Sequence, residues 1–238
     1  MSMNANVLPT SGLIGTETET TALPQALADC PMHGFSPENF AREQIRGLVR
    51  RVFFTNKELP VKQVVFSAAE PDTDVSVICD RVGQALALET SADIAIVSRS
   101  SPGIGVDLGR GYPRSLESAA IKSRSTQMAI NLWRVPEAGL RELFQESATS
   151  QYWISSLAEL RKHFEYVVIH GPAAGISSDS ALLAQLTDGI ILVLEAHSTR
   201  RASARKIKET LEGTDSRILG TVLSERTFPI PEMIYRRL

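Results

Sequence analysis

The turn between an apolar run, QVVFSA, and an amphipathic pattern, SVICDRVGQALALE, has the placement of a phosphate-binding loop but not its residue types. Such loops use glycine so that backbone N–H groups can converge on anionic oxygens, and a lysine adds positive charge. This turn instead carries Glu70, Asp72 and Asp74. Two like unit charges about 4 Å apart repel by about 4 kcal/mol at an effective dielectric of about 20. The acidic turn is therefore expected to oppose the binding of a polyphosphate.

The same carboxylates suit the start of a helix. Asp74 can cap the helix that follows and complement its dipole from within the chain, so that no external anion is needed. An alternative is that the acidic turn, together with His170 and His197, binds a metal ion or a cationic ligand. The His and Asp residues show no tight metal-ligand spacing, which favours a structural role for His170 as a neutral, hydrogen-bonded residue.

Strand and helix patterns alternate along the chain from Val61 onward. Continuous apolar runs indicate strands covered on both faces, and their alternation with helices indicates a parallel sheet between two helical layers. The sequence thus predicts a doubly wound α/β fold with a mostly parallel sheet. Ligands of such sheets bind beyond the carboxyl ends of the strands, here the turns after Phe66, Val97 and Ile169. The predicted strand segments are VKQVVFSAA, ADIAIVSR, MAINLWRVP, YVVIHGP, DGIILVLEA and SRILGTVLSER.

The composition of the chain narrows the class of protein. The 238 residues are 43% hydrophobic and carry a net charge of −2, without the basic excess that would indicate a nucleic-acid partner. No apolar run reaches the roughly 18 residues that cross a bilayer, and the N-terminus lacks the features of a signal peptide. Residues 1–36, rich in Thr, Ser and Pro, are expected to form a flexible arm, and residues 37–238 a single α/β domain.

Three separated segments resemble one family of bacterial proteins. The segment YVVIHGPAAGISSDSALLAQLTDGIILVLEA is similar to the second half of the bacterial tyrosine kinases (BY-kinases), which are ParA/MinD-like P-loop proteins. INLWRVPEAG and EQIRGLVRRVFF are similar to two further segments of that family, and the match extends from Pro37 to Leu238. The resemblance implies a P-loop NTPase fold and kinship with ATP-dependent tyrosine kinases that accompany polysaccharide co-polymerases in capsule and exopolysaccharide export.

The positions that align with the family's nucleotide site have lost its chemistry. The two glycines of the Walker A loop fall on Asp72 and Asp74, and the lysine falls on Val75. The carboxylate of Walker B falls on His170, and both carboxylates of Walker A′ are also replaced. The resemblance therefore implies a degenerate site without catalytic residues, at which neither ATP nor Mg²⁺ binds tightly. The aligned positions are Pro71, Asp72, Asp74, Val75, Ser76, Val77, Ser98, Ser100, His170 and Ser224.

The family's self-association pattern, E-x-x-R-x-x-R, is only partly present. Its positions fall on Glu43, Arg46 and Val49, so the last arginine is missing. These residues are either candidates for self-association or a solvated helix face with an intrahelical Glu–Arg pair. The tyrosine-rich tail that BY-kinases phosphorylate is also missing, since the C-terminal segment RTFPIPEMIYRRL carries the single Tyr235, which is expected to be a packing residue.

A basic segment, STRRASARKIKETL, follows the predicted strand DGIILVLEA. Its arginines and lysines could face an acidic partner or a membrane surface. Glu209 and Glu212 dilute the charge, which favours the simpler interpretation of a solvated helix.

The leading hypothesis is a cytoplasmic, catalytically inactive BY-kinase-like protein. It would act as a binding or regulatory subunit in exopolysaccharide or capsule synthesis and export, recruited to the inner face of the membrane through a partner. That partner would be the cytoplasmic part of a membrane co-polymerase or an active BY-kinase homologue, and a homo-oligomer remains open. The alternatives are a divergent ATP-binding tyrosine kinase or ATPase, and a ParA/MinD-like positioning protein.

Overall fold

The computed structural model describes residues 37–55, 58–99, 119–138, 140 and 149–225. Within them, seven strands form one sheet in the order β3-β4-β2-β5-β1-β6-β7. All neighbouring strands are parallel except the antiparallel pair β3 and β4. The predicted doubly wound, mostly parallel α/β fold is confirmed. The strands are β1 (Gln63–Ala68), β2 (Ile94–Ser98), β3 (Thr126–Ala129), β4 (Leu132–Pro136), β5 (Tyr166–His170), β6 (Gly189–Glu195) and β7 (Ile218–Ser224).

Helices cover both faces of this sheet, and each face has its own apolar core. Leu160, Leu183 and Ile207 belong to the core on one face, while Phe53 and Val82 belong to the core on the other. In the described part of the chain no helix is both long and apolar enough to cross a bilayer. The helices are α1 (Pro37–Val49), which continues as a π-helical turn (Arg50–Phe54), α2 (Ser76–Glu89), α3 (Ala119–Ser123), α4 (Thr149–His163), α5 (Asp179–Leu186) and α6 (Arg201–Glu212).

The strand β1 lies in the middle of the sheet and leads directly to the acidic turn. All six of its residues are buried. Gln63, the first of them, is polar but fully buried, and its side-chain amide donates to the carbonyl of Leu157 at 3.0 Å and accepts from Arg161 at 2.7 Å. The central strand is thus anchored at its amino end by hydrogen bonds and along its length by apolar packing.

The prediction of one strand over MAINLWRVP is wrong. The chain reverses direction at Ile130 and Asn131, so that β3 and β4 form an antiparallel hairpin at the edge of the sheet. The amide of Asn131 donates to the carbonyl of Thr90 at 2.7 Å and to that of Ala92 at 3.2 Å. A contact between segments about forty residues apart therefore stabilises the turn. The sequence does not indicate the turn, because apolar residues continue on both sides of it.

The predicted boundaries of the domain stay predictions. Residues 1–36 and residues 226–238, which include Tyr235, lie outside the described residues.

Helix α2 lies close to the sheet because residue 83 has no side chain. A Cβ atom at Gly83 would lie 2.4 Å from Cδ1 of Ile96 and 3.2 Å from Cδ1 of Leu132. Ile96 belongs to β2 and Leu132 to β4, so the glycine sets the spacing between α2 and two strands. This close approach fixes the position of the helix that follows the acidic turn.

The substitution Gly83→Ala should destabilise the protein. Alanine favours a helix by about 1 kcal/mol over glycine, but overpacking costs about 1–3 kcal/mol, so we expect a net loss of about 1 kcal/mol in the free energy of unfolding. Gly47→Ala is the matched control, because nothing lies within 4 Å of a Cβ at that position in α1. The control should gain about 0.5–1 kcal/mol. Denaturant unfolding measures both, and an equal gain in both variants would contradict the close approach.

Candidate functional site

The carboxyl ends of the strands bring most of the predicted site positions to one edge of the sheet. Ser98 ends β2, His170 ends the neighbouring β5, and the acidic turn follows β1 beside it. Ser224 ends β7 and pairs with Glu195 of β6 on the far side of β1. Ser100 lies outside the described residues.

The acidic turn is held from two sides by neighbouring segments. The backbone N–H of Ala69 donates to the carbonyl of Val193 in β6 at 2.9 Å. On the other side, the N–H of Ala174 donates to the carbonyl of Ala68 at 2.8 Å. The hydroxyl of Thr73 lies 3.4 Å from a carboxylate oxygen of Glu195 and forms a long hydrogen bond with it. The turn is therefore fixed by contacts that do not involve a ligand.

The segment after β5 approaches this turn so closely that only glycine fits at one position. A Cβ atom at Gly175 would lie 2.4 Å from the carbonyl oxygen of Ala69, which is a backbone atom and cannot rotate away. The hydroxyl of Ser67 also donates to the carbonyl of Pro172 at 2.5 Å. Sequence reasoning missed both contacts, because each joins residues about a hundred positions apart.

Asp74 occupies the N-terminus of α2 with its own carboxylate. Its Oδ1 atom accepts hydrogen bonds from the backbone N–H of Ser76 at 2.9 Å and from the hydroxyl of Ser76 at 2.5 Å. The hydroxyl of Ser76 lowers the pKa of Asp74 most, and the backbone N–H groups of Ser76 and Val77 and the nearby His170 lower it further. The N-cap position itself is Val75, which makes no side-chain cap, so Asp74 lies one residue before the N-cap position and its carboxylate accepts from the first residue of α2.

The other residues of the turn divide between core and solvent. Val75, which aligns with the family's lysine, is 1% exposed and packs in the core. Pro71 and Asp72 are exposed, and Val77 is 45% exposed on the first turn of α2. A lysine at position 75 would therefore have to bring its ammonium group out of an apolar environment.

His170 is held as a neutral imidazole. Burial lowers its pKa most, and the nearby Arg99 lowers it further, while Asp74, Glu137 and Asp80 act in the opposite direction more weakly. The expected neutral state agrees with this lowered pKa. The imidazole makes no hydrogen bond to the described residues, so the expected hydrogen bond is not found there.

An ion pair beside the site was not apparent from the sequence. One guanidinium nitrogen of Arg134 in β4 lies 2.6 Å from each carboxylate oxygen of Asp80 in α2. The two residues are 54 positions apart, and neither belongs to a motif. The pair neutralises one of the carboxylates near His170.

The alternative of a metal site gains no support from this geometry. Among the described residues, no group of three or more His, Cys, Asp and Glu side chains is arranged to hold a metal ion. His197 lies in the turn after β6, exposed and with a left-handed backbone (φ 71°).

The three self-association positions differ in exposure. Arg46 is bound within the chain, since its Nε lies 2.6 Å from Oε1 of Glu89, and its Nη1 lies 3.8 Å from Oε1 of Glu43. Glu89 also pairs with Arg50 at 3.0 Å. Val49 is fully buried in the core beneath α1. Glu43 and Arg46 line a cavity of about 430 Å³ between α1 and α2, but Val49 does not reach the surface. Self-association through these positions stays a prediction.

The fold and the placement of the turn are those of a P-loop-like α/β architecture, in which an interior parallel strand leads through a turn into a helix. No protein-family model matches the chain. The chain is 32% identical over 74 residues to the tyrosine-protein kinase CpsD of Streptococcus agalactiae, a match that spans 31% of this chain and 32% of that kinase. It is 19% identical over 198 residues to the putative tyrosine-protein kinase CapB of Staphylococcus aureus, covering 79% and 86%.

Solved structures show the same fold. The chimerical protein CapA2B2 superposes with a TM-score of 0.58 at 18% identity, covering 83% of this chain and 87% of that one. The kinase domain of the Escherichia coli tyrosine kinase ETK gives a TM-score of 0.58 at 14% identity, covering 80% and 79%. The MinD cell division protein of Aquifex aeolicus gives 0.51 at 15% identity, covering 74% and 73%. The predicted resemblance to BY-kinases and MinD-like P-loop proteins is confirmed.

Removing the internal anion should weaken the start of α2. We expect Asp74→Ala to lower the free energy of unfolding by about 1 kcal/mol, because two donors of Ser76 lose their acceptor. Asp72→Ala in the same turn is the matched control, because Asp72 is exposed and its side chain forms no hydrogen bond or ion pair with the described residues. It should change stability by less than about 0.5 kcal/mol. Denaturant unfolding of both variants tests this, and equal effects would show that the carboxylate of Asp74 does not stabilise the start of α2.

His170 should make the protein less stable in mild acid. Its pKa is lowered in the fold, so the unfolded chain binds the proton first as pH falls below the ordinary value of 6.5. We expect the free energy of unfolding to fall from pH 6.5 down to the lowered pKa of the folded state, and His170→Gln to flatten this dependence. Unfolding curves at a series of pH values measure it. Equal slopes for the protein and the variant would contradict the neutral, desolvated state.

Proposed function

We propose that this chain is a nucleotide-independent relative of the BY-kinases that acts by binding other proteins. The observation that carries the proposal is the hydrogen bonding of Asp74 to the N-terminus of α2. In P-loop proteins the N–H groups at this place face the phosphates of a nucleotide. Here a carboxylate of the chain itself accepts from the same end of the helix.

The phosphates of a nucleotide would have to displace the carboxylate of Asp74 from the start of α2. They would also lie close to its negative charge. The turn carries two further carboxylates, Glu70 and Asp72, and neither has a described cation beside it to offset the charge. The side chain at the lysine position, Val75, is buried in the core and offers no positive charge. The missing lysine and the added carboxylates both weaken the attraction of the turn for phosphate groups, so tight binding of ATP is not expected.

The positions that would hold Mg²⁺ are also poor in oxygen ligands. His170 is a neutral imidazole at the Walker B position, and Ser98 offers only a hydroxyl at the first Walker A′ position. Mg²⁺ prefers carboxylate and phosphate oxygens in an octahedral arrangement. Without such ligands the metal that assists phosphoryl transfer has no place to bind, which favours a protein without kinase activity.

A binding or regulatory role in exopolysaccharide or capsule synthesis fits the resemblance to the BY-kinases. The relatives are named tyrosine-protein kinases CpsD and CapB, and the chimerical CapA2B2 shares the fold. The partner we propose is the cytoplasmic part of a membrane co-polymerase or an active BY-kinase homologue. Such a partner would bring a cytoplasmic chain to the inner face of the membrane.

A divergent ATP-binding tyrosine kinase or ATPase is the second candidate. The similarity to CpsD over 74 residues favours it, because that protein is named a kinase. A ParA/MinD-like positioning protein is favoured only by the shared fold and would equally need nucleotide binding. Both alternatives therefore require nucleotide binding, and one measurement of ATP binding tests both.

Titration calorimetry with ATP and Mg²⁺ tests the proposal. We expect no binding with a Kd below about 1 mM, whereas an active BY-kinase in the same buffer should bind ATP. Val75→Lys alone should not create a site, and should lower the free energy of unfolding by about 2–3 kcal/mol because it buries an ammonium group. Micromolar binding to the unmodified chain would overturn the proposal, and tyrosine phosphorylation by the purified chain would favour the kinase.

A further inference from the structure

The first turns of α6 and the residue before them carry a group of cations that have no ion-pair partner among the described residues. Arg200, Arg201, Arg205 and Lys206 are all exposed. No carboxylate in the described part of the chain lies within 4.0 Å of their charged nitrogens, although Glu209 follows Arg205 by one turn. These four residues, called here the α6 basic surface, concentrate positive charge on a chain whose net charge is −2.

Many other cations of the described chain are neutralised. Lys208, on the same helix, lies 3.4 Å from Glu212. Other lysines and arginines of the described residues also pair with a carboxylate, as in Arg46–Glu89, Arg50–Glu89, Lys62–Glu165, Lys122–Asp93, Arg134–Asp80, Arg161–Asp188 and Lys162–Glu159. Against this pattern, four unpaired cations within seven successive residues are a local feature of the start of α6.

The shape and composition of this surface limit what it can bind. The apolar side of α6 is already used, because Ile207 and Leu211 are 7% and 2% exposed and pack in the core. The exposed side borders an open depression of about 590 Å³, and Ala202 is the only apolar residue among the described residues that line it. Protein partners usually bind through aromatic or other large apolar anchors, and none is present there.

A specific pocket for a small anion is also disfavoured. The four cationic side chains are exposed, so no buried donor encloses a ligand. What remains is a long-range attraction between several flexible cations and an extended negative surface. Anionic lipid headgroups form such a surface, and each arginine or lysine near them contributes about 1 kcal/mol of attraction, which corresponds to about fivefold in binding.

We propose that the α6 basic surface binds the anionic headgroups of a lipid bilayer directly. Arg201 and Arg205 are one helical turn apart, and both line the same open depression as Lys206, so these three cations face one side of the helix. The contact is electrostatic and does not insert apolar residues, so it is weak and sensitive to salt. It requires neither a nucleotide nor a partner protein, and so it does not depend on the function proposed above.

Cosedimentation with lipid vesicles tests the contact. The full chain is mixed with vesicles of phosphatidylcholine alone or with about 30% phosphatidylserine, in buffer of low and of high salt. We expect binding only to the anionic vesicles, and its loss at high salt. Arg201→Gln/Arg205→Gln should weaken binding about 25-fold. Lys62→Gln/Lys162→Gln changes the net charge equally at two cations that are ion-paired, and should keep most of the binding.

The outcomes separate the possible ligands of the surface. Equal binding to neutral and anionic vesicles, or equal losses in the two double variants, would overturn the proposal. Absence of vesicle binding together with salt-sensitive binding to polyglutamate or to DNA would also overturn it, and would assign the surface to an acidic polymer instead. Circular dichroism confirms that both double variants are folded, so that a loss of binding reports on charge.

Discussion

The electrostatic properties of this site depend on the hydrogen bonds between the carboxylate of Asp74 and Ser76 at the start of α2. A helix N-terminus that follows a central strand attracts an anion, because its N–H groups have no acceptor within the helix. In this chain the acceptor is supplied two residues away, by Asp74 to Ser76. One N–H group of the helix start that could face a phosphate is thus bonded to a carboxylate of the chain itself.

The surroundings of the turn support this internally satisfied state. Hydrogen bonds from Ala69 to β6 and from Ala174 back to Ala68 hold the turn between two strands. Gly175 lets the segment after β5 approach the backbone at Ala69, and a larger residue there would push the two segments apart. At the Walker B position, where related proteins have a carboxylate that helps to hold a metal ion, this chain has the neutral His170. Packing and electrostatics at this edge therefore favour a turn that is stabilised by the chain's own contacts, as the sequence of the turn also does.

The two charged surfaces of the molecule differ in how their charges are used. Between α1 and α2, Arg46 and Arg50 converge on Glu89, so the ion pairs connect elements within the chain. At the start of α6, Arg201, Arg205 and Lys206 have no ion-pair partner among the described residues, while the apolar side of the helix packs in the core. Structural ion pairs and free surface charge look alike in a list of residues, and only their distances distinguish them.

The sequence by itself determined the features that depend on neighbours along the chain. The alternation of apolar runs and helical patterns predicted the α/β class and the strands β1, β2, β5, β6 and β7. The residue types of the turn predicted that Asp74 places its carboxylate at the start of α2. The tertiary structure decided the features that join distant segments. These are the hairpin of β3 and β4 closed by Asn131, the burial of Val75, the pair Arg134–Asp80 and the requirement for Gly175. Short-range hydrogen bonds follow from residue type and spacing, whereas contacts across about fifty to a hundred residues depend on how the helices pack on the sheet.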